Sequence, residues 1–151
     1  MEITSEMVKE LRDSTGISVM ECKKALVEAD GDVAKALAIL GAKSNASVAK
    51  KMGRELGAGA VAAYVHATVQ VGAMVLLSSE TDFVAKNDEF VTLGKDIAMH
   101  AAAMKPADIA ELLEQPFIKD PSKTIKDMIA AATQKFGERV EISKFVFFSV
   151  K

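Results

Sequence analysis

The sequence predicts an α+β fold in which a small helical module precedes a domain of strands and helices. Three observations carry that prediction. The first forty residues hold explicit helix punctuation, β-branched and partly alternating runs begin near residue 60, and the chain finishes in a Phe-rich extended stretch.

Taken in order, Thr4 is placed to cap a helix with Met7, Val8 and Leu11 on one face, and Ile3 and Val8 are spaced as its hydrophobic staple. Gly16 is the expected left-handed stop. Ser18 to Glu21 spells a capping box, with Ile17 and Cys22 as a second staple. That helix runs to about Ala29, the D-G-D at 30–32 caps a third, and Gly41 is expected to end it. Helices of about ten residues are marginal alone, so these three must stabilise one another by packing. The domain boundaries expected are a three-helix module over 1–41, a basic linker over 42–58 and an α+β core over 59–151. The linker carries Lys43, Lys50, Lys51 and Arg54 and reads as a solvated face with a short helix in its middle.

In the core, AVAAYVHA (60–67) and VQVGAMVLLS (69–78) read as strands. Val69, Val71, Ala73, Val75 and Leu77 would line one face of the second, and Met74 and Leu76 make its other face apolar, as in a central or doubly covered strand. Asn87 or Asp88 is expected to cap a helix carrying Phe90, Ile97 and Met104 at sevens. A short helix is bracketed by Pro106 and Pro116, and Pro121 is expected in the first turn of another that stops at Gly137. The terminal run RVEISKFVFFSV reads as a strand with an exposed edge that a symmetric partner could pair with.

Bulk properties narrow the setting. A chain of 151 residues, 50% hydrophobic and 26% charged, is ordinary for one globular domain or a domain with a small appendage. A net charge of −2 gives no global attraction to nucleic acid or anionic membrane. The opening MEITSEMVKE lacks the pattern of a signal peptide, and no apolar run reaches membrane-spanning length. A single cysteine, Cys22, rules out an internal disulfide framework and fits a reducing compartment, so a cytoplasmic location is expected.

No self-contained active site emerges. Gly57-Ala-Gly59-Ala-Val-Ala62 matches a loose dinucleotide fingerprint, but a strand follows it where one should precede, so the glycines read as a flexible entry to that strand. His66, expected in a strand, and His100, expected in a helix, have no second ligand at metal spacing and read as packing or surface residues. Cys22 reads as an inert buried thiol. The serines fall in no nucleophile motif, and Asp88 and Glu89 fit the start of a helix through its dipole. No metal and no cofactor of its own is therefore expected.

The remaining stretch is SETDFVAKNDEF at 79–90. Phe83 stands among polar and charged residues. It either tucks under the sheet, as aromatics usually do, or serves as an anchor for another protein. Asp82 favours the outward reading, because burying Phe83 would draw a carboxylate inward.

Here the chain resembles the bacterial elongation factor Ts family, the nucleotide exchange factors of elongation factor Tu. The resemblance rests on VKELRDSTGISVMECKKALVEADGDVAKALAIL at 8–40, ETDFVAKN at 80–87 and, more weakly, GERVEISKF at 137–145. It implies a ubiquitin-associated-like N-terminal module and an α+β core subdomain with an antiparallel sheet. It also implies that Asp82 and Phe83 enter the partner's G domain near its magnesium and phosphate site, with Thr81 and Val84 shaping the turn. Arg12, Val19, Met20 and Lys51 match the positions that dock the module on the nucleotide side of that domain. Val19 departs from a frequent methionine, Gly41 from a common arginine, and Ser143-Lys144 from a usual basic pair. Long relatives carry two core subdomains. This chain has room for one, which resembles short forms that act as homodimers. The implied role is an exchange factor acting on the GDP and magnesium of its partner, without a catalytic site of its own. A general interaction module, binding a ubiquitin-like or nascent-chain partner through the helical bundle, remains the alternative.

Overall fold

The computed structural model describes residues 2–151, which form two compact units: residues up to 53 with 130–137, and residues 54–129 with 138–151. The first unit begins with α1 (Ser5–Thr15), α2 (Val19–Glu28) and α3 (Val33–Lys51). Each start is built as the sequence dictates. The side chains of Thr4, Ser18 and Asp32 accept the backbone N–H groups of Met7, Glu21 and Lys35. Gly16 closes α1 at φ 72°, a conformation that a Cβ would strain. Val8, Leu11, Ile17, Cys22, Leu26 and Leu40 share one core, with Ile3 packed against it. The Cys22 thiol is buried beside the Ile17 carbonyl at 3.5 Å, and burial raises its pKa, as suits an inert thiol.

The stop expected at Gly41 does not occur. α3 runs through it to Lys51, so most of the expected 42–58 linker is helix. A mid-helix glycine costs only about 1 kcal/mol relative to alanine. That is offset beyond it by tertiary ties. Lys43 approaches Glu21 at 3.7 Å, and buried Ser44 donates to Gln134.

The second unit is built on an antiparallel sheet of β1 (Ala58–Val65), β2 (Val71–Ser79) and β5 (Glu141–Ser149), with β2 in the centre. Its register sets Ala62 opposite Val75 and Val75 opposite Phe145. Between β2 and β5 the register slips at Leu76/Leu77, and there the Ser143 hydroxyl meets that of Ser78 at 2.7 Å. Inward residues of the sheet, among them Ala62, Val75, Leu77 and Ile142, are buried. α5 (Asp88–Met104) packs on β1 and β2 at very close range: a Cβ at Gly94 would lie 3.1 Å from that of Ala62. Gly59 is in β1 itself, where a Cβ would lie 2.7 Å from the Leu77 carbonyl oxygen. Close strand approach, rather than a flexible entry, explains that glycine.

β2 is central, as expected, but its second face is open, with Met74 at 48% exposure. The hairpin is also offset from the predicted strands. His66 stands just beyond β1, its N–H donating to the Val71 carbonyl at 2.9 Å. Val69 occupies the turn at φ 62°, an unusual conformation for a β-branched residue. The short helix between prolines is α6 (Ile109–Glu114), capped by Asp108. Pro121 does not open a helix; it lies in β4 (Asp120–Thr124), which pairs with β3 (Pro116–Phe117). α7 (Ile125–Phe136) starts later because Thr124 and Asp127 form a reciprocal capping box, at 3.1 and 2.9 Å.

His100 is fully buried in α5. Its Nδ1 accepts the Ile118 N–H at 3.1 Å, which leaves Nε2 to donate to the Gln115 Oε1 at 2.9 Å. Protonating Nδ1 would set two N–H groups against each other, and burial lowers the pKa below its ordinary value. The unfolded chain therefore binds the proton first, and stability falls as pH drops below about 6.5. Urea unfolding at pH 7.5 and pH 5.5 should show this loss, and His100→Gln should flatten it in that window. An unchanged slope in the variant would place the pH dependence elsewhere.

Candidate functional site

The segment singled out in the sequence begins where β2 ends. Buried Ser79 donates its hydroxyl to the Thr81 carbonyl at 3.0 Å, turning the chain out of the sheet. Thr81 then caps α4 (Asp82–Ala85), accepting the Val84 N–H at 3.4 Å. One turn later Asn87 caps α5 by accepting the Glu89 N–H at 2.8 Å. Two caps six positions apart hold a single helical turn between them.

Within that turn the side chains divide sharply. Val84 and Ala85 are each only 5% exposed, whereas Phe83 is 87% exposed. Asp82 is exposed beside it in the first turn of α4, where a carboxylate is favoured by the helix dipole. Of the four residues expected here, Asp82 and Phe83 thus face outward. Thr81 builds the cap, and Val84 is an anchor facing the interior.

The residues expected in the helical module fall differently. Arg12 and Val19 line one shallow groove of about 310 Å³, together with Ile3, Val8, Lys9 and Lys23. Val19 is 52% and Met20 67% exposed at the start of α2. Lys51 ends α3, its ammonium donating to the Ser47 hydroxyl at 3.1 Å, and is not a wall of that groove.

Sequence reading missed one residue at the turn. Glu138, just past α7, directs its carboxylate onto the start of the turn. Oε1 accepts the N–H groups of Glu80 and Thr81 at 3.1 and 3.0 Å, and Oε2 accepts the Thr81 hydroxyl at 2.6 Å. The Glu80 carboxylate in return accepts the Arg139 N–H and lies 3.5 Å from Arg54. The only sequence signal was the presence of Glu138 in GERVEISKF, a stretch that does not disclose its target 58 residues away. Among the described residues no group of side chains is arranged to hold a metal ion, and no helix is long and apolar enough to cross a membrane.

Comparison with known proteins places the chain in one family. Residues 80–151 match the family described as Elongation factor TS. Across 97% of the chain, an elongation factor Ts of Acetivibrio thermocellus is 40% identical, with 89% of the relative covered. One of Fervidobacterium nodosum is 41% identical, with 97% of each covered. Both alignments extend over 191 positions against 151 residues here, so each relative carries at least 40 positions without a counterpart in this chain. A relative of Trichlorobacter lovleyi is 45% identical over 149 positions, which make up 48% of its length. Identity of this extent over nearly the whole chain, with the ETDFVAKN turn built as an exposed and doubly capped unit, means that this chain belongs to the elongation factor Ts family.

Proposed function

We propose that this chain is a guanine nucleotide exchange factor for elongation factor Tu in translation elongation, working in the cytoplasm. The observation that carries the reading is Phe83, an apolar side chain held out into solvent by buried neighbours. Leaving a phenylalanine in water forgoes about 1.5 to 3 kcal/mol of burial. A partner's cleft recovers that energy, and a rigid turn gives the side chain one direction of approach. Asp82 enters with it, next to the site where the partner's magnesium and phosphates are held.

Exchange requires that the factor bind the nucleotide-free partner better than the nucleotide-bound one. By reciprocity, nucleotide then weakens the factor's grip by the same free energy. Faster release by four decades needs roughly 5.5 kcal/mol off the barrier. Burial of Phe83 is too small for that alone. The remainder comes from disturbing the partner's magnesium site and from the helical module, where Arg12, Val19, Met20 and Lys51 hold the opened partner. Val19 is stiffer than a methionine and makes a less adaptable contact. No bond is made or broken by this chain, so it needs no cofactor of its own.

Homodimerisation is part of the same reading. The sheet face turned away from α5 exposes Val61, Val65, Met74, Val146 and Phe148, the last at 75%. β5 also has one edge unpaired in the sheet. A contiguous apolar face of this kind marks an association surface, and a second copy meeting it isologously would close the assembly.

Phe83→Ala should slow stimulated GDP release from elongation factor Tu by about one to two decades, followed with fluorescent GDP. Its unfolding free energy should stay within about 0.5 kcal/mol of the parent. Val84→Ala should instead lose about 1 to 3 kcal/mol of stability. Release at the parental rate with Phe83→Ala would refute the exchange mechanism. By sedimentation equilibrium the chain should have a dimer mass at micromolar concentration, and Phe148→Glu a monomer mass. A monomeric parent with full exchange activity would sink the dimer.

A further inference from the structure

α4 is four residues long, far too short to be stable on its own hydrogen bonds. Its start is held by the Thr81 cap, and the Thr81 hydroxyl is itself a free rotor unless its proton is committed. Glu138 commits it. With that hydroxyl donating to Glu138 Oε2, the lone pairs of Oγ1 are left for the Val84 N–H at the start of α4. The other carboxylate oxygen takes the two backbone N–H groups that lead into the turn. Hydrogen bonds accepted by a carboxylate are stronger than those between neutral groups, and the three that Glu138 accepts all come from the two residues before Asp82. The return tie, from the Arg139 N–H to the Glu80 carboxylate, locks the same junction from the opposite side. The Arg139 guanidinium adds a bond to the Arg54 carbonyl at 2.7 Å and one to Glu141 at 2.7 Å, which keeps the residue after Glu138 in place.

From this geometry we infer that Glu138 is a positioning residue for exchange: acting through Thr81, it fixes the direction in which Phe83 projects. The inference rests on the reading of Phe83 as the exchange element. Its physical content is preorganisation. A turn already held in its working geometry does not spend ordering entropy when the phenylalanine enters the partner. Loss of Glu138 should therefore show most clearly in the rate at saturating factor, with half-saturation, to which the helical module contributes, changed less.

The test is a double-mutant cycle on stimulated GDP release from elongation factor Tu, with amide hydrogen exchange of the free chain beside it. Glu138→Ala should slow saturated release about tenfold, the loss expected for one charged hydrogen-bonding group. Glu138→Gln keeps an acceptor for the two backbone N–H groups but sets a donor against the Thr81 hydroxyl, and should slow saturated release about threefold. In the Phe83→Ala background, Glu138→Ala should cost no more than about a further twofold, because both changes disable one device. The amides of Thr81 and Val84 should exchange faster in Glu138→Ala than in the parent, while those of central β2 keep their protection. Fully additive losses, or unchanged protection at Val84, would overturn the role of Glu138. If Phe83→Ala alone leaves release unchanged, the exchange reading itself falls. If Glu138→Ala fails to fold, Glu138→Gln decides: slower saturated release together with faster exchange at Val84 supports positioning through Thr81, and release and Val84 exchange both equal to the parent refute it.

Discussion

Phe83 and Val84 are adjacent in sequence and opposite in exposure, and a single capped turn of helix makes that possible. Successive residues on a helix point about 100° apart, so one turn can bury Val84 and Ala85 while aiming Phe83 outward. The arrangement demands that both ends of the turn be fixed. Thr81 does so at the start, and Asn87 does so by opening α5 immediately afterwards. α5 is fixed in turn by its close approach to the sheet at Gly94 and by buried Phe90 and Ile97. The exposed aromatic is thus supported by the core of its own unit.

The helical module follows a different logic. Its α1 and α2 are too short to persist alone, and its stability comes from a core shared by all three helices. The interior takes Leu11, Leu26 and Leu40, while Val19 and Met20 stay at the surface. These exposed side chains stand in the first turn of α2, whose start is capped by Ser18. Side chains held on a capped turn lose little ordering entropy on binding.

Where local chemistry decided the outcome, it could be read directly. The caps at Thr4, Ser18, Asp32 and Asn87 depend on residues within three positions of each other. The Gly16 stop is equally local. Gly41 and Pro121 misled for the opposite reason. The helix passes Gly41 because Glu21 and Gln134 hold the residues beyond it. The segment at Pro121 becomes a strand because β3 is there to pair with it and Thr124 starts the helix later. At the candidate site, the outward tilt of Phe83 was legible from its polar neighbours, but the tie from Glu138 was not.

By itself, then, the sequence determined the α+β class, the starts of the first three helices and of α5, the buried Cys22 and the family to which the chain belongs. Each of these is written in short-range spacing or in a contiguous motif. Only the tertiary structure decided how far α3 extends, that one face of the sheet stays open, and that Val84 anchors what Phe83 presents. It alone revealed Glu138 beneath the turn. Those outcomes depend on groups brought together from distant parts of the chain, where hydrogen bonds and close packing outweigh the modest preferences of a single glycine or proline.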